Sequence, residues 1–236
     1  MQGTYEAKDT RKNKESIMIN RLTIIIVSTV IATTAQNAAA GIGVTPKIGT
    51  LGYGADVTVS LIPQLNARAG FNTFSYEYTH SEEDGSGDLT AKIDFQNIPL
   101  LLDWHPTAGA FRISAGVVVN NNKVLLSANP GDSVDFNDIG YVVESASGEA
   151  SFKQMSPYLG IGTGNAADTG SRVHFAADFG VMFQGSPKID LSAAAANPAL
   201  QSELDNSVKA EQKKLEDDTS AFTIYPVIAL GISFTF

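Results

Sequence analysis

Three histidines, His80, His105 and His174, are the side chains of this 236-residue chain that titrate closest to neutrality, and it contains no cysteine. His105 or His174, joined by an aspartate and a serine, would have the groups for general-base hydrolysis. The lack of cysteine removes disulfide scaffolds, thiolate metal sites and thiol nucleophiles. No GxSxG, phosphate-loop, HExxH or CxxC string occurs, and GTLGYG and GIGTG lack the strand-to-helix setting that phosphate cradling needs. Those glycines read as strand glycines, no cofactor or metal is expected, no catalytic residue is assigned, and the chain is read as a non-enzyme.

The other chemically notable groups, Asp56, Arg68, Asp103 and Arg112, with His174 and Asp178, lie far apart in sequence but share one property. Each sits on the polar side of an alternating segment. In 50–61 the odd positions Leu51, Tyr53, Ala55, Val57, Val59 and Leu61 are apolar and the even ones small or polar; Val173, Phe175, Ala177, Phe179, Val181 and Phe183 repeat the pattern. Period two places successive side chains on opposite faces of a strand. The segments 47–61, 65–79, 89–105, 110–127 and 172–184 all run to 13 residues or more. Soluble strands average about 5 or 6 residues, whereas tilted membrane strands need about 9 to 11 plus extensions. Long strands with one apolar and one charged face predict a barrel with lipid outside and an enclosed interior, so these six residues become lumen-lining candidates. Charges in a narrow lumen must be paired, which predicts an ion-pair plug or a narrow selective conduit.

With 16 basic and 25 acidic residues the chain carries a net charge of −9, which argues against a nucleic-acid partner. Asn20-Arg21, the apolar run Leu22 to Ala32 and Ala38-Ala39-Ala40 form an export signal, with cleavage expected before Gly41 and Met18 as an alternative start. That run is about half of the roughly 20 residues a spanning helix needs. The expected organisation is therefore 1–40 as extension and signal peptide and 41–236 as the barrel domain. Removing 1–40 takes five basic and three acidic residues, leaving a net charge of −11.

Strands are expected at 47–61, 65–80, 89–105, 110–127, 149–164, 172–185 and 222–236. Seven is an odd number, and an even-stranded barrel requires an eighth, from a bend at Gly49 to Gly54 or a hairpin within Lys188 to Ala193. Short turns (62–64, 107–109, 165–171) alternate with long polar loops (80–88, 128–148, 186–221), as periplasmic turns and external loops do. Within 89–105 the apolar set Leu89, Ala91, Ile93, Phe95 gives way to Ile98, Leu100, Leu102, Trp104, which predicts bulges near Pro99 and near Asn120 to Asn122. Asn197-Pro198 reads as a capped helix start; Leu200, Leu204, Val208 and Leu215 would rest on the barrel rim or bind a partner. Trp104, Phe74, Tyr76, Tyr78, Tyr158, Phe222 and Tyr225 are expected to form interfacial aromatic girdles.

The last segment, FTIYPVIALGISFTF, aligns Ile228, Leu230, Ile232, Phe234 and Phe236 on one face. Gly231, Phe234 and the terminal Phe236 resemble the C-terminal assembly signal of bacterial outer-membrane β-barrels, with Ala229 where a polar residue is usual. The strings GTLGYGAD (49–56), LDWHP (102–106), FRIS (111–114), NKV (122–124), SPYLGIGTG (156–164), FQGSP (183–187) and YPV (225–227) are similar to a family of small proteobacterial outer-membrane proteins, OmpA/OmpW-like barrels. The fold read from the residues and reinforced by this resemblance is all-β: a transmembrane up-and-down antiparallel β-barrel of about eight strands, with one helix in the last extracellular loop. The resemblance implies a Gram-negative outer-membrane address. Its implied partners are outer-membrane lipid and lipopolysaccharide, and the barrel assembly machinery through the C-terminal strand, with the chain as a monomer. The functions weighed are a structural or porin-like narrow passive channel for small solutes, a loop-mediated binding or adhesion barrel, and a lipid-modifying hydrolase. Glu82-Glu83-Asp84 and Glu216-Asp217-Asp218 offer carboxylates for divalent cations bridging lipopolysaccharide. Deleting Phe236 is expected to lower the heat-modifiable, membrane-inserted fraction; insertion at the level of the full chain would contradict the assembly-signal reading.

Overall fold

The computed structural model describes residues 41–81, 88–168 and 170–236. The expected signal segment and the Glu82-Glu83-Asp84 cluster therefore lie outside the described residues. Among those described, twelve strands and one long helix form one antiparallel system: β1 (Ile42–Gly49), β2 (Gly52–Ile62), β3 (Leu65–Ser81), β4 (Asp88–Trp104), β5 (Arg112–Asn120), β6 (Lys123–Ala128), β7 (Ser133–Phe136), β8 (Ile139–Ser151), β9 (Met155–Thr163), β10 (Val173–Phe183), β11 (Lys188–Ala195), α1 (Gln201–Thr219) and β12 (Ile224–Thr235). Eight strands close on themselves in the order β1-β2-β3-β4-β5-β9-β10-β12, with β12 returning to β1. The expected 47–61 strand is two strands, divided at Thr50-Leu51 where Gly49 faces Gly52, and this supplies the eighth. Closure leaves no unpaired edge in the barrel, which a bilayer demands because it offers no water to an orphan N–H or C=O.

On the outward face every barrel strand carries apolar side chains, among them Ile48, Tyr53, Phe71, Leu102, Trp104, Leu159, Phe175, Phe179 and Leu230, all 43–67% exposed. Such a belt belongs against acyl chains. No described helix is long and apolar enough to cross a membrane; this chain crosses with strands.

Beyond the barrel the outer half of β4 leaves β5 and pairs with β6, which pairs with β8, which pairs with β11, giving a distal sheet β3-β4-β6-β8-β11 with β7 hairpinned to β8. The expected bulges near Pro99 and Asn120 to Asn122 are absent. Ala69 faces Leu100 and Asn72 faces Asn97; Asn97 faces Asn120 and Asp94 faces Lys123; Val119 faces Met155 and Lys123 faces Ser151. No residue is gained or lost across these breaks. The pleat continues and the solvent changes: past Asn97 the outward face meets water and carries Glu77, Lys92, Glu149 and Asp190. The lumen-side face becomes apolar, with Tyr78, Ala91, Leu126, Gly148 and Leu191 in one cross-strand row.

Corrections to the girdle follow from the same parity. Phe74, Tyr76 and Tyr78 share the face of Asn66, Arg68 and Asn72, Tyr158 is 5% exposed inside the barrel, and the Tyr225 hydroxyl donates inward to the Thr50 carbonyl (2.7 Å). Trp104 does face outward, 50% exposed. Real irregularities occur elsewhere. β8 gains one residue at Glu144, so Tyr141, Val143 and Ala146 share one side. The break at 184–187, with Gly185 at φ 70°, moves the inward face from Asp178 and Met182 in β10 to Ile189 and Leu191 in β11.

The loops expected at 128–148 and 186–221 thus contain β7, most of β8, β11 and the helix. Asn197 caps the 3-10 turn Pro198–Leu200 that leads into α1: its side chain accepts from Ala199 N–H (3.1 Å), as its position before Pro198 predicts, while α1 itself begins without a side-chain cap. Leu204 and Val208 are buried at 0% and 7% against Phe136, Tyr141, Val143, Ala146 and Ala195. The helix therefore rests on the distal sheet, not the barrel rim, and Leu204 and Val208 of its apolar face are consumed there while Leu200 stays exposed. The helix also shields the free edge of β11. The Gln201 carboxamide accepts from Ala195 N–H (2.8 Å) and donates to the Ala193 carbonyl (3.1 Å), while Gln212 and Glu216 accept from Leu191 N–H and Ile189 N–H (both 3.4 Å). These bonds imitate the missing neighbour strand and blunt an edge that would otherwise template pairing. Replacing Gln201, Gln212 and Glu216 together by Ala is expected to speed amide exchange at Ile189, Leu191 and Ala195 by about fivefold per lost bond of roughly 1 kcal/mol. Barrel amides should keep their rates, and unchanged exchange along β11 would refute the shielding.

Candidate functional site

The barrel interior is filled in successive layers. At the turn end, residues 164–168 fold into the mouth after Gly164, whose φ of 98° only glycine adopts without strain. Ala166 and Ala167 are each 7% exposed, the Ala166 carbonyl accepts from the Thr235 hydroxyl (2.9 Å), and Asn165 Oδ1 accepts from Asn66 Nδ2 (2.9 Å). His105, 1% exposed, faces Asn66 Nδ2 through Nε2 (3.2 Å) and the Gly109 carbonyl through Nδ1 (3.0 Å). The protonation that satisfies both contacts is Nδ1–H donating to the carbonyl and Nε2 accepting.

Above this lies a charged layer. Arg68 reaches three carboxylates: Asp103 through Nε (2.8 Å), Asp178 through Nη1 (3.1 Å) and Asp56 through Nη1 (3.2 Å). Arg112 Nη2 donates to Asp178 (2.8 Å), and its Nη1 donates to the Thr163 carbonyl (2.8 Å) and to the Gly164 carbonyl. Lys47 Nζ pairs with Asp56 (2.8 Å), and Ser114 Oγ donates to Asp103 (2.5 Å). Three cations face three carboxylates, so the layer is neutral as a set, and no member is more than 10% exposed at its side chain among Lys47, Asp56, Arg68, Asp103, Arg112 and Asp178. Neutrality and dense hydrogen bonding are what allow ions in an enclosed space, where one uncompensated charge costs several kcal/mol.

Glycine makes room for it. Arg112, Gly162 and Asp178 lie side by side on β5, β9 and β10, and a Cβ at Gly162 would stand 3.0 Å from Asp178 Oδ1 and 3.1 Å from Arg112 Nε. The space left among these groups is a cavity of about 10 Å³ bordered by Asp56, Arg68, Asp103 and His105, room for one water at most. Further along the strands, Leu51, Leu101, Val118, Tyr158, Met182 and Val227 form an apolar layer across the lumen, with Met182 at 0% and Val118 at 1% exposure. Buried Asn72, Asn97, Asn120 and Asn122 follow, linked where Asn97 Nδ2 donates to Asn122 Oδ1 (2.8 Å).

Of the six residues singled out in the sequence, five meet in the charged layer. His174 does not; it stands half-buried at the turn end, with Nε2 on the Ser171 carbonyl (2.9 Å). Lys47 completes the charge balance and was missed, although its odd position, shared with Thr45, is the inward parity of β1. The contacts of His105 and His174 run to an asparagine and to backbone carbonyls, and Ser114 bonds Asp103 directly, so neither imidazole sits in a Ser-His-Asp arrangement. Among the described residues no group of three His, Asp or Glu side chains is placed to hold a metal ion. That includes Glu216-Asp217-Asp218, where Glu216 instead bonds β11.

No protein-family model matches the sequence, and no curated protein matches it. Solved structures do resemble the fold. The CarO2 protein of Acinetobacter baumannii superposes with a TM-score of 0.53 at 19% identity, covering 83% of this chain and 98% of its own. CarO of Acinetobacter baumannii gives 0.52 at 19% identity, over 85% of this chain and 100% of its own. A major outer membrane protein from Thermus thermophilus gives 0.43 at 14% identity, over 84% of this chain and 100% of its own. At these identities the two Acinetobacter structures speak for the fold: an outer-membrane-type β-barrel of closed antiparallel strands.

Proposed function

We propose that this chain is an outer-membrane barrel with a filled lumen, acting as a structural anchor that holds the distal sheet and α1 at the cell surface as its binding part. The observation that carries this reading is the stacking of three independent seals in one lumen: the 164–168 segment, the Arg68 ion-pair layer and the Met182 apolar layer. An eight-stranded barrel is just wide enough for its side chains to fill, and here they do. The porin-like reading of a narrow passive channel draws on the same charged residues, but a solute would have to break paired ions and then cross an apolar layer. The outward apolar belt supports outer-membrane lipid as its solvent and hence the address. The outward Phe234 and the inter-strand Gly231, with Phe236 at the end of β12, support recognition of this strand by the barrel assembly machinery. Closure of the barrel within one chain supports a monomer.

Planar bilayers holding the full barrel domain are expected to show no discrete conductance steps; regular steps that change in size when Asp178 or Arg112 becomes Ala would establish the channel and defeat the anchor reading. The charged layer also predicts a ranking in stability. Arg68→Ala removes the cation shared by three carboxylates, leaving Asp56 to Lys47, Asp178 to Arg112 and Asp103 without a close cation, and should cost about 3–5 kcal/mol, read as a lower heat-modifiability midpoint. Lys47→Ala, which leaves Asp56 still paired to Arg68, should cost clearly less. Equal midpoints would show that the layer does not work as one network.

A further inference from the structure

The distal sheet is only partly covered by α1. The helix packs over β7, β8 and β11 through Leu204 and Val208, while Leu126 on β6 and Leu89 on β4 remain 39% and 46% exposed. Between helix and sheet lies a cavity of about 180 Å³ that opens to the surface. Its walls are apolar: Leu126, Phe136, Leu191 and Leu215, over a floor at Gly148. Gly148 faces Leu126 on one side and Leu191 on the other, and a side chain there would meet Leu191 at 2.9 Å. A glycine in this row keeps the space open.

One carboxylate, Glu211, borders the cavity, and no cationic side chain lines it; Asp135 borders it with its backbone, its carboxylate lying on the other face of β7 beside Gly140. Glu211 Oε2 accepts from Asn137 N–H (3.2 Å) and lies 3.9 Å from Lys214 Nζ, a half-exposed side chain at the outer limit of an ion pair. An apolar hollow with one carboxylate, Glu211, at its rim is complementary to an apolar body bearing one positive charge. Dry cavities of about 150 Å³ lined by Leu, Ile and Phe admit benzene, so this one takes a body of that size or slightly larger.

We propose that this cavity binds small organic cations with an apolar body, alkyl- or arylammonium ions of about six to nine non-hydrogen atoms, with the chain or ring among Leu126, Leu191 and Leu215 and the ammonium at Glu211. The proposal rests on the distal sheet and helix being the working part of the molecule. The test uses the barrel domain in lipid nanodiscs, with methyl NMR shifts of Leu126, Leu191 and Leu215 as the readout and hexylammonium, hexanol and hexanoate as probes. Hexylammonium should give saturable shifts at these methyls with a dissociation constant about tenfold lower than that of hexanol, the scale of one charge-assisted contact at a partly exposed carboxylate. Glu211→Gln should bring hexylammonium to the level of hexanol. Leu126→Trp, or Gly148→Val if the former lowers the heat-modifiability midpoint, should abolish both. No saturable shift from either probe, or hexanoate binding as tightly as hexylammonium, would overturn the proposal. A barrel that conducts yet binds hexylammonium would sink the anchor reading and leave this site standing, whereas a silent barrel without binding would sink only the site.

Discussion

A strand that runs unbroken from lipid into water cannot change which way its residues point, so the residues themselves must change, and this governs the whole chain. In β3 and β4 one register runs from Leu65 opposite Trp104 to Ser81 opposite Asp88, with pairing skipped only at Gly70 and Phe71 opposite Pro99 and Ile98. Near Asn97 the apolar side chains cross from the outer face to the inner one. Below that level the lipid side carries Leu100, Leu102 and Trp104; above it Leu89, Ala91, Ile93 and Phe95 turn inward, and Phe95 packs against Phe74 and Tyr225 at centroid distances of 6.3 and 6.2 Å. The exchange of faces marks where the acyl chains end, and it gives one continuous sheet two different apolar clusters.

Inside the barrel the same alternation forces charge, amide and hydroxyl groups into an enclosed space, where each must find a partner. Arg68 solves much of this alone because its planar fork can satisfy several carboxylates at once, which a lysine ammonium would do with less geometric control. The apolar layer at Met182 and Val118 needs no such partners and seals by packing. Two chemistries therefore close one lumen, and loosening either still leaves the other in place.

Much of this was legible in the sequence because period two survives whatever solvent surrounds it. The strand positions, the turn-and-loop alternation, the Asn197 cap and the inward placement of Asp56, Arg68, Asp103, Arg112 and Asp178 all follow from parity and turn chemistry. What parity could not show was which solvent each face meets, so a switch of solvent at Asn97 looked like a slip of register. Most of β8 was read as loop, and β11 only as an alternative hairpin within Lys188 to Ala193, for a different reason. Stretches such as Ser145 to Ser151 and Ser192 to Ala196 are built from Ser, Ala, Gly and Glu, which have little strand preference of their own; they are strands because β6 and α1 supply partners on both sides. His174 has the inward parity but lies too near the turn end to reach Arg68, a distance along the strand that no pattern of faces encodes.

The distal sheet is not hung from the barrel by flexible loops. β5 and β6 keep one register against β4, β9 and β8 keep one against β5 and β6, and Asn97, Asn120, Asn121 and Asn122 at the crossing tie these strands where their pairing is interrupted, with Asn121 N–H on the Gln96 carbonyl (2.9 Å) and Asn122 N–H on Asn120 Oδ1 (3.0 Å). A continuous ladder transmits position far better than a linker, since bending it would break backbone bonds in sequence. The apolar face of the distal sheet is thus held at a fixed height above the sealed lumen, and its helix is held by the edge bonds to β11 and by Leu204 and Val208. A rigid, partly covered apolar face at that place is costly to leave in water. The chain limits that cost by laying α1 over part of it and leaving the remainder as a bounded hollow with Glu211 at its rim.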